Sequence, residues 1–193
     1  MAKVVQEAPP VKKSFFGTKK SKTILLWVIE VVIVLALAAG FAFAFGQSIT
    51  MQESSMEPTL QGGDQILINK VAYRIGSPKR GDVIAFKSSE DEDASTHIKR
   101  VIGLPGESIQ IKDGLILING ETYMESKDFP KINNEGLAET SITLSKDEYF
   151  VLGDNRNNSE DSRFSNVGNI QKKNIVGKLW GIISPSSRIG FIR

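Results

Sequence analysis

IKRVIGLPGESIQIKDGLILING, residues 98–120, decides how the larger part of this chain folds. It holds three short β-branched runs, Ile98–Gly103, Ser108–Ile111 and Leu115–Asn119. Each is too short for a helix and is bounded by Gly, Asn or Asp, the punctuation of strands. Asp113-Gly114, between the second and third runs, marks a tight hairpin, because a two-residue turn needs residues that accept positive φ. Asn119-Gly120 marks a second turn. Reading outward, Gln65–Val71, Asp82–Phe86, Ser141–Leu144, Tyr149–Leu152 and Ile175–Ile183 repeat the pattern. No amphipathic helical period competes with them. The four acids Glu90–Asp93 read as a solvated loop. The fold class expected from residue 47 onward is therefore mainly β.

The N-terminal quarter differs. Residues 1–22 carry Lys3, Lys12, Lys13, Lys19, Lys20 and Lys22 against one acid, Glu7, and read as a basic, unstructured tail. Residues 23–46, TILLWVIEVVIVLALAAGFAFAFG, span roughly 36 Å at helical rise, enough to cross a bilayer core of about 30 Å. Glu30 is the one charge in the block; beside Trp27 it suits an interfacial position, and a partner helix is the other reading. A cleaved signal peptide would account for the basic start and for Ala36, Ala38 and Ala39. The apolar run continues past them through Phe41, Phe43 and Phe45, too far for a signal core. The expected organisation is a cytoplasmic tail (1–22), a transmembrane anchor (23–46) and an extracytoplasmic domain (47–193). The lysine-rich side should stay in the cytoplasm of a single-pass protein of the cell membrane, with the domain on the extracellular face.

Composition removes several chemistries. The chain has no cysteine, so disulfides, thiolate metal sites and Cys nucleophiles are excluded. It has one histidine, His97, which excludes a multi-histidine metal centre and leaves a Ser-His-Asp enzyme a single route. A net charge of +2 gives no reason to expect a nucleic-acid partner. A serine nucleophile here needs another base. A lysine can serve if burial disfavours its ammonium form, and Lys99, set in the apolar run around Val101 and Ile102, is the candidate. The serine candidate is Ser55 in ESSMEPTL (53–60), just past the anchor, where Pro58 stiffens the chain; a plain linker serine is the competing reading. GDNRNNSEDSR (153–163) is a polar loop whose Asp and Arg residues suggest an ion-paired buttress. Its Asp154, Asn158, Glu160 and Asp161 also admit a calcium loop, although the spacing departs from the usual pattern.

Taken together, SSMEPTL, KRGDVIAF (79–86), KRVIGLPGE (99–107) and GDNRNNSEDSR resemble, in order, the boxes of type I signal peptidases, in the compact Gram-positive form with one N-terminal anchor. The resemblance implies a β-sheet-built catalytic domain of the signal-peptidase and LexA-like type. It implies a serine endopeptidase that removes signal peptides from secreted preproteins after Ala-x-Ala-like sites, without metal or organic cofactor. Ser55 falls on the nucleophile and Lys99 on the general base. Ser159 falls on the serine whose hydroxyl orients that lysine. Asp161 and Arg163 fall on a supporting salt bridge, with Asp154 and Arg100 in the same network. Met51, Met56, Leu60 and Ile98 fall on the apolar lining of the substrate pockets, and His97 on an aromatic position beside the substrate. The implied partners are preprotein signal peptides, membrane lipid and the secretion translocon.

Two positions depart from the family pattern. Glu53 stands where the family has serine or glycine beside the oxyanion site, and is expected to point away from it. Glu107 stands where Asp is commoner. The competing functions are a self-cleaving Ser-Lys repressor-type protease and a catalytically silent, membrane-anchored binding module of the same fold. The anchor argues against the first; Glu53 is the feature that favours the second.

Overall fold

A computed structural model describes residues 19–45, 47–87 and 95–192. The acidic run Glu90–Asp93 and most of the basic tail lie outside the described residues. The chain divides into two units, Met1–Ala42 and Phe43–Arg193. In the first, helix α1 runs Lys19–Phe45, starting four residues before the apolar block, because Lys19, Lys20 and Lys22 are good helix formers. Its segment Lys20–Ala42 is long and apolar enough to cross a membrane. Leucines, valines and isoleucines point outward on all sides rather than forming one stripe, as expected of a helix solvated by lipid.

The second unit is built from two antiparallel sheets. The strands are β1 (Gln47–Thr50), β2 (Gln65–Asn69), β3 (Val83–Lys87), β4 (Thr96–Gly103), β5 (Ser108–Lys112), β6 (Leu115–Ile118) and β7 (Glu121–Thr122), then β8 (Ile142–Thr143), β9 (Glu148–Leu152), β10 (Ile170–Gln171), β11 (Ile175–Ser184) and β12 (Gly190–Phe191). The larger sheet has the order β1-β2-β11-β3-β4-β9-β10, with β12 also paired to β11. The smaller has the order β7-β6-β5-β8. The mainly β expectation holds, and every run read from the sequence contains a strand. Gln65–Val71 is cut short: the Asn69 side chain accepts from the Val71 and Ala72 amides at 3.0 and 2.9 Å and starts a one-turn helix, α2 (Ala72–Ile75).

Both faces of the larger sheet are buried near its centre. In β3 the side chains alternate, Val83 and Ala85 joining a core with Met51, Met56, Leu60, Ile66 and Leu179, while Ile84 and Phe86 join another with Val101, Tyr149 and Val151. A strand that meets apolar layers on both sides reads as an unbroken apolar run, which VIAF is. Ile102, Ile109, Ile111, Ile116, Phe150 and Leu152 form a third core between the sheets. A polar side chain at the centre of β3 or β4 therefore lies between apolar layers.

The two turns expected in residues 98–120 both form. Asp113 and Gly114 have φ of 53° and 74° and connect Lys112 to its partner Leu115; Asn119 and Gly120 have φ of 54° and 84° and connect Ile118 to Glu121. A Cβ on Gly114 would lie 2.6 Å from Lys131 Cγ and 2.7 Å from the Ile132 carbonyl oxygen. Gly114→Ala therefore combines positive-φ strain of about 1–2 kcal/mol with a backbone collision. It should lower the unfolding free energy from urea titration by at least that amount; an unchanged value would contradict this account of the turn.

Candidate active site

Past β1, the chain is pinned by Met51, whose amide donates to the Asp64 carbonyl at 2.8 Å and whose carbonyl accepts from Gly63 at 2.9 Å. Met56 and Leu60 are wholly buried and hold the turn after Ser55 into the core. From the other side the loop after β9 grips the same turn. The Asn155 amide donates to the Ser55 carbonyl at 3.0 Å, Asn155 Nδ2 to the Ser54 carbonyl at 3.2 Å, and Asn158 Nδ2 to Ser54 Oγ at 3.1 Å. Gly153 makes this approach possible, because a Cβ there would meet the Ser55 carbonyl oxygen at 2.5 Å and would also strike the Ser159 side chain. The serine is thus held through its backbone, and none of these bonds engages its hydroxyl.

Lys99 projects from β4 and is 1% exposed. Its cross-strand partner on β3 is Ile84, so the amine is walled by hydrocarbon. Lys99 Nζ donates to Ser55 Oγ at 2.9 Å and to Glu53 Oε2 at 3.2 Å. Ser55 Oγ in turn donates to the same Glu53 oxygen at 3.1 Å. The expectation that Glu53 points away is overturned: its carboxylate closes a triangle with the serine and the lysine. The physical reason is the lysine itself, since an ammonium buried without a counter-charge costs several kcal/mol. Glu53 Oε1 lies 3.4 Å from His97 Nδ1, and the His97 ring packs on Phe86 at 5.7 Å between centroids. The hydrogen bond from His97, then the charge of Lys99, hold the Glu53 carboxyl at about 2 against the burial that opposes them. Glu53 is therefore ionised throughout the neutral range.

Loop 153–163 is built from closed ion pairs. Arg100 grips Asp154 with both arms, Nε to Oδ1 at 2.7 Å and Nη2 to Oδ2 at 2.6 Å. Arg163 grips Asp161 likewise at 2.8 and 2.9 Å, and Asp161 Oδ2 also accepts the Gly153 amide at 3.0 Å. Arg163 Nη2 reaches the Arg156 carbonyl at 2.6 Å, and the Arg156 amide the Asp154 carbonyl at 3.0 Å, which ties the pairs into one network. A third pair went unread in the sequence: Arg156 and Glu125, bidentate at 2.6 Å, with the guanidinium 4.3 Å from the centre of the Phe129 ring. Both loop aspartates are saturated by arginine, and no three His, Asp or Glu converge among the described residues, so the calcium reading finds no donor set. Ser159 does not make the expected bond to Lys99. Its Oγ is buried without a hydrogen-bond partner, while two of the lysine's donors go to Ser55 and Glu53.

The profile of the signal peptidase family, peptidase S26, matches residues 24–183. The chain belongs to this family. It is 32% identical over 194 residues to signal peptidase I of Leptolyngbya laminosa, covering 95% of this chain and 91% of that protein. It is 37% identical over 167 residues to signal peptidase I T of Bacillus subtilis, covering 82% and 84%. A crystal structure of a signal peptidase I from Enterococcus faecalis aligns with 53% of this chain and 96% of its own, at 32% identity and a TM-score of 0.41.

Two clefts of this signal peptidase meet at Gln52 and Glu53, and Ser55 borders the second of them. One, of about 260 Å³, runs between residues 49–53 and 95–98 and is lined by Ile49, Met51, Glu53, Thr96 and Ile98. The other, of about 610 Å³, is bordered by Ser55, His97, Asn158, Ser159, Glu160 and Phe164. Of the four apolar positions assigned to substrate contact, Met51 and Ile98 line the first cleft; Met56 and Leu60 are fully buried in the core and border neither. A separate cleft of about 640 Å³, lined by Lys70, Arg74, Lys172 and Lys173, touches none of these residues. Glu107, the second departure, pairs with Arg80 at 2.6 Å and closes the turn after β4 through the Leu104 amide at 2.8 Å.

Asp154 is 0% exposed, so Asp154→Ala would leave Arg100 buried without its counter-charge. Removing one partner of a buried pair costs about 3–5 kcal/mol. Urea unfolding should report a loss of that size; a loss below about 1 kcal/mol would show that the pair is not structural.

Proposed function

We propose that this signal peptidase is a membrane-bound serine endopeptidase with Ser55 as nucleophile and Lys99 as general base, cutting preproteins after Ala-x-Ala-like sites. The observation that carries the reading is the 2.9 Å contact between Lys99 Nζ and Ser55 Oγ, with the amine sealed in apolar strands. In the reactive state the neutral amine takes the hydroxyl proton as Ser55 Oγ attacks the scissile carbonyl. The amide bond breaks and Lys99 passes the proton to the leaving amine. Lys99 then draws a proton from water, whose oxygen attacks the ester carbonyl, and returns that proton to Ser55 Oγ as the acyl–oxygen bond breaks. The Ser55 amide is the oxyanion donor in this scheme, held by the grip of Asn155 on the same residue.

The substrate enters as an extended strand along residues 49–53 and 95–98, where backbone hydrogen bonds supply affinity and the shallow floor of Met51 and Ile98 admits small side chains. His97 borders the leaving side. Asp161, Arg163, Asp154 and Arg100 support the serine turn from behind, and Ser159 packs between Gly153 and that turn without acting on Lys99 in the resting enzyme. The division into tail, anchor and domain at 1–22, 23–46 and 47–193 goes with a cytoplasmic N-terminus and cleavage on the extracellular side. There the secretion translocon delivers the preprotein and lipid surrounds the helix.

Ser55→Ala, Lys99→Ala and Lys99→Arg should each reduce preprotein cleavage by at least about 1000-fold, the usual scale for loss of a nucleophile or base, while circular dichroism shows the fold retained. Full activity in any of them would sink the dyad. If wild type also fails to cut a panel of preproteins, the silent binding module takes its place. Anchoring also restricts reach: moving the cleavage site some 20 residues beyond the substrate's apolar segment should slow cleavage strongly, and equal rates would contradict the restriction.

A further inference from the structure

Glu53 occupies a place where the chemistry just described cannot tolerate it. Lys99 Nζ spends donors on both Ser55 and Glu53, so no lone pair of the amine faces the Ser55 hydroxyl in this arrangement. The Ser55 proton, moreover, is directed at Glu53 and not at Lys99. A carboxylate so close to the serine also opposes negative charge on the substrate carbonyl, where catalysis needs donors. The arrangement is stable and unreactive. We propose that Glu53 is a resting-state latch on the Ser55–Lys99 pair, released when a substrate strand fills the cleft beside it. This rests on the Ser-Lys reading above and concerns how that pair is switched on.

Three observations support release rather than a fixed role. The Glu53 side chain is 45% exposed whereas that of Lys99 is 1% exposed, so the carboxylate is the member able to move. Glu53 lines both clefts, so a peptide laid along residues 49–53 and 95–98 passes over it. His97 already stands at the other carboxylate oxygen, 3.4 Å away, and gives the anion a partner once it leaves the lysine. On release the Lys99 lone pair turns to the Ser55 hydroxyl and accepts its proton, so the proton balance of the cleavage steps is unchanged. The other charges near the trio do not replace Glu53. Glu160, across the second cleft, accepts from Asn166 at 2.9 Å, Asp154 and Asp161 are closed by arginines, and β3 presents Ile84.

The test is the pH dependence of cleavage by the full-length enzyme in detergent micelles, for wild type, Glu53→Gln and Glu53→Ala. The acid limb of kcat/KM reports the free enzyme and that of kcat the substrate complex. A carboxylate in contact with an ammonium favours the charged form by about 1–3 pH units. Removing it should therefore move the kcat/KM limb down by about one unit or more, an approximately tenfold gain on the acid side. The kcat limb should stay where wild type has it, because Glu53 has already left. An unmoved or raised kcat/KM limb in both variants would overturn the latch, and equal shifts in the two limbs would overturn its release by substrate. Lys99→Ala separates the two levels. If it retains activity, the dyad reading falls; if it is inactive while the Glu53 variants leave the limbs unmoved, only the latch falls.

Discussion

A single amine buried among hydrocarbon side chains sets the requirements for the rest of this domain. Lys99 sits on the strand between β3 and β9, with apolar layers on both faces of the sheet, and water has almost no access to it. Such a group is tolerated only where polar partners come to it. The partners arrive from a segment 44 residues away in sequence, the turn that carries Glu53 and Ser55. Bringing that turn to the sheet needs Met51, Met56 and Leu60 as apolar plugs in the same core as Val83, Ala85 and Ile98. The core and the Ser55–Lys99 contact are therefore one piece of packing, and hydrophobic burial positions Ser55 as much as its polar bonds do.

The loop after β9 supplies what burial alone does not give, which is precision. Apolar plugs fix a segment to within a side chain's slack, whereas hydrogen bonds of defined direction from Asn155 fix the backbone of Ser54 and Ser55, and one from Asn158 fixes the Ser54 hydroxyl. The loop can act as a clamp because three bidentate arginine–carboxylate pairs hold it stiff. Water is excluded from these pairs, so they keep their directional strength.

Much of this was legible in the residues, for identifiable reasons. Strands β2 to β6, β8, β9 and β11 announce themselves through β-branched runs, and the two hairpin turns through Asp113-Gly114 and Asn119-Gly120, which few other residues could replace. β1 was not read, because Gln47–Thr50 is short, half polar and abuts the apolar block. β10 and β12 have two residues each and carry no periodic signal. In the site, motif order brought out Ser55, Lys99 and the Arg100–Asp154 and Arg163–Asp161 pairs. Glu125 escaped notice because nothing in the sequence links it to Arg156, 31 residues on. The direction of Glu53 was misjudged because it was weighed against the oxyanion alone. The stronger demand came from the buried ammonium next to it, and a pairwise contact of that kind is invisible until the strands are assembled.

The arginine–aspartate pairs also constrain how such a chain can diverge. Arg100 and Asp154 lie 54 positions apart, yet each is the other's bidentate counter-charge inside the domain. A substitution at either position alone passes through a form with a stranded charge, whereas replacing both by well-packed apolar residues is often close to neutral. The two positions therefore behave as one inherited character. Lineages should keep both or lose both, and the intermediate, rather than the end state, is the barrier between them.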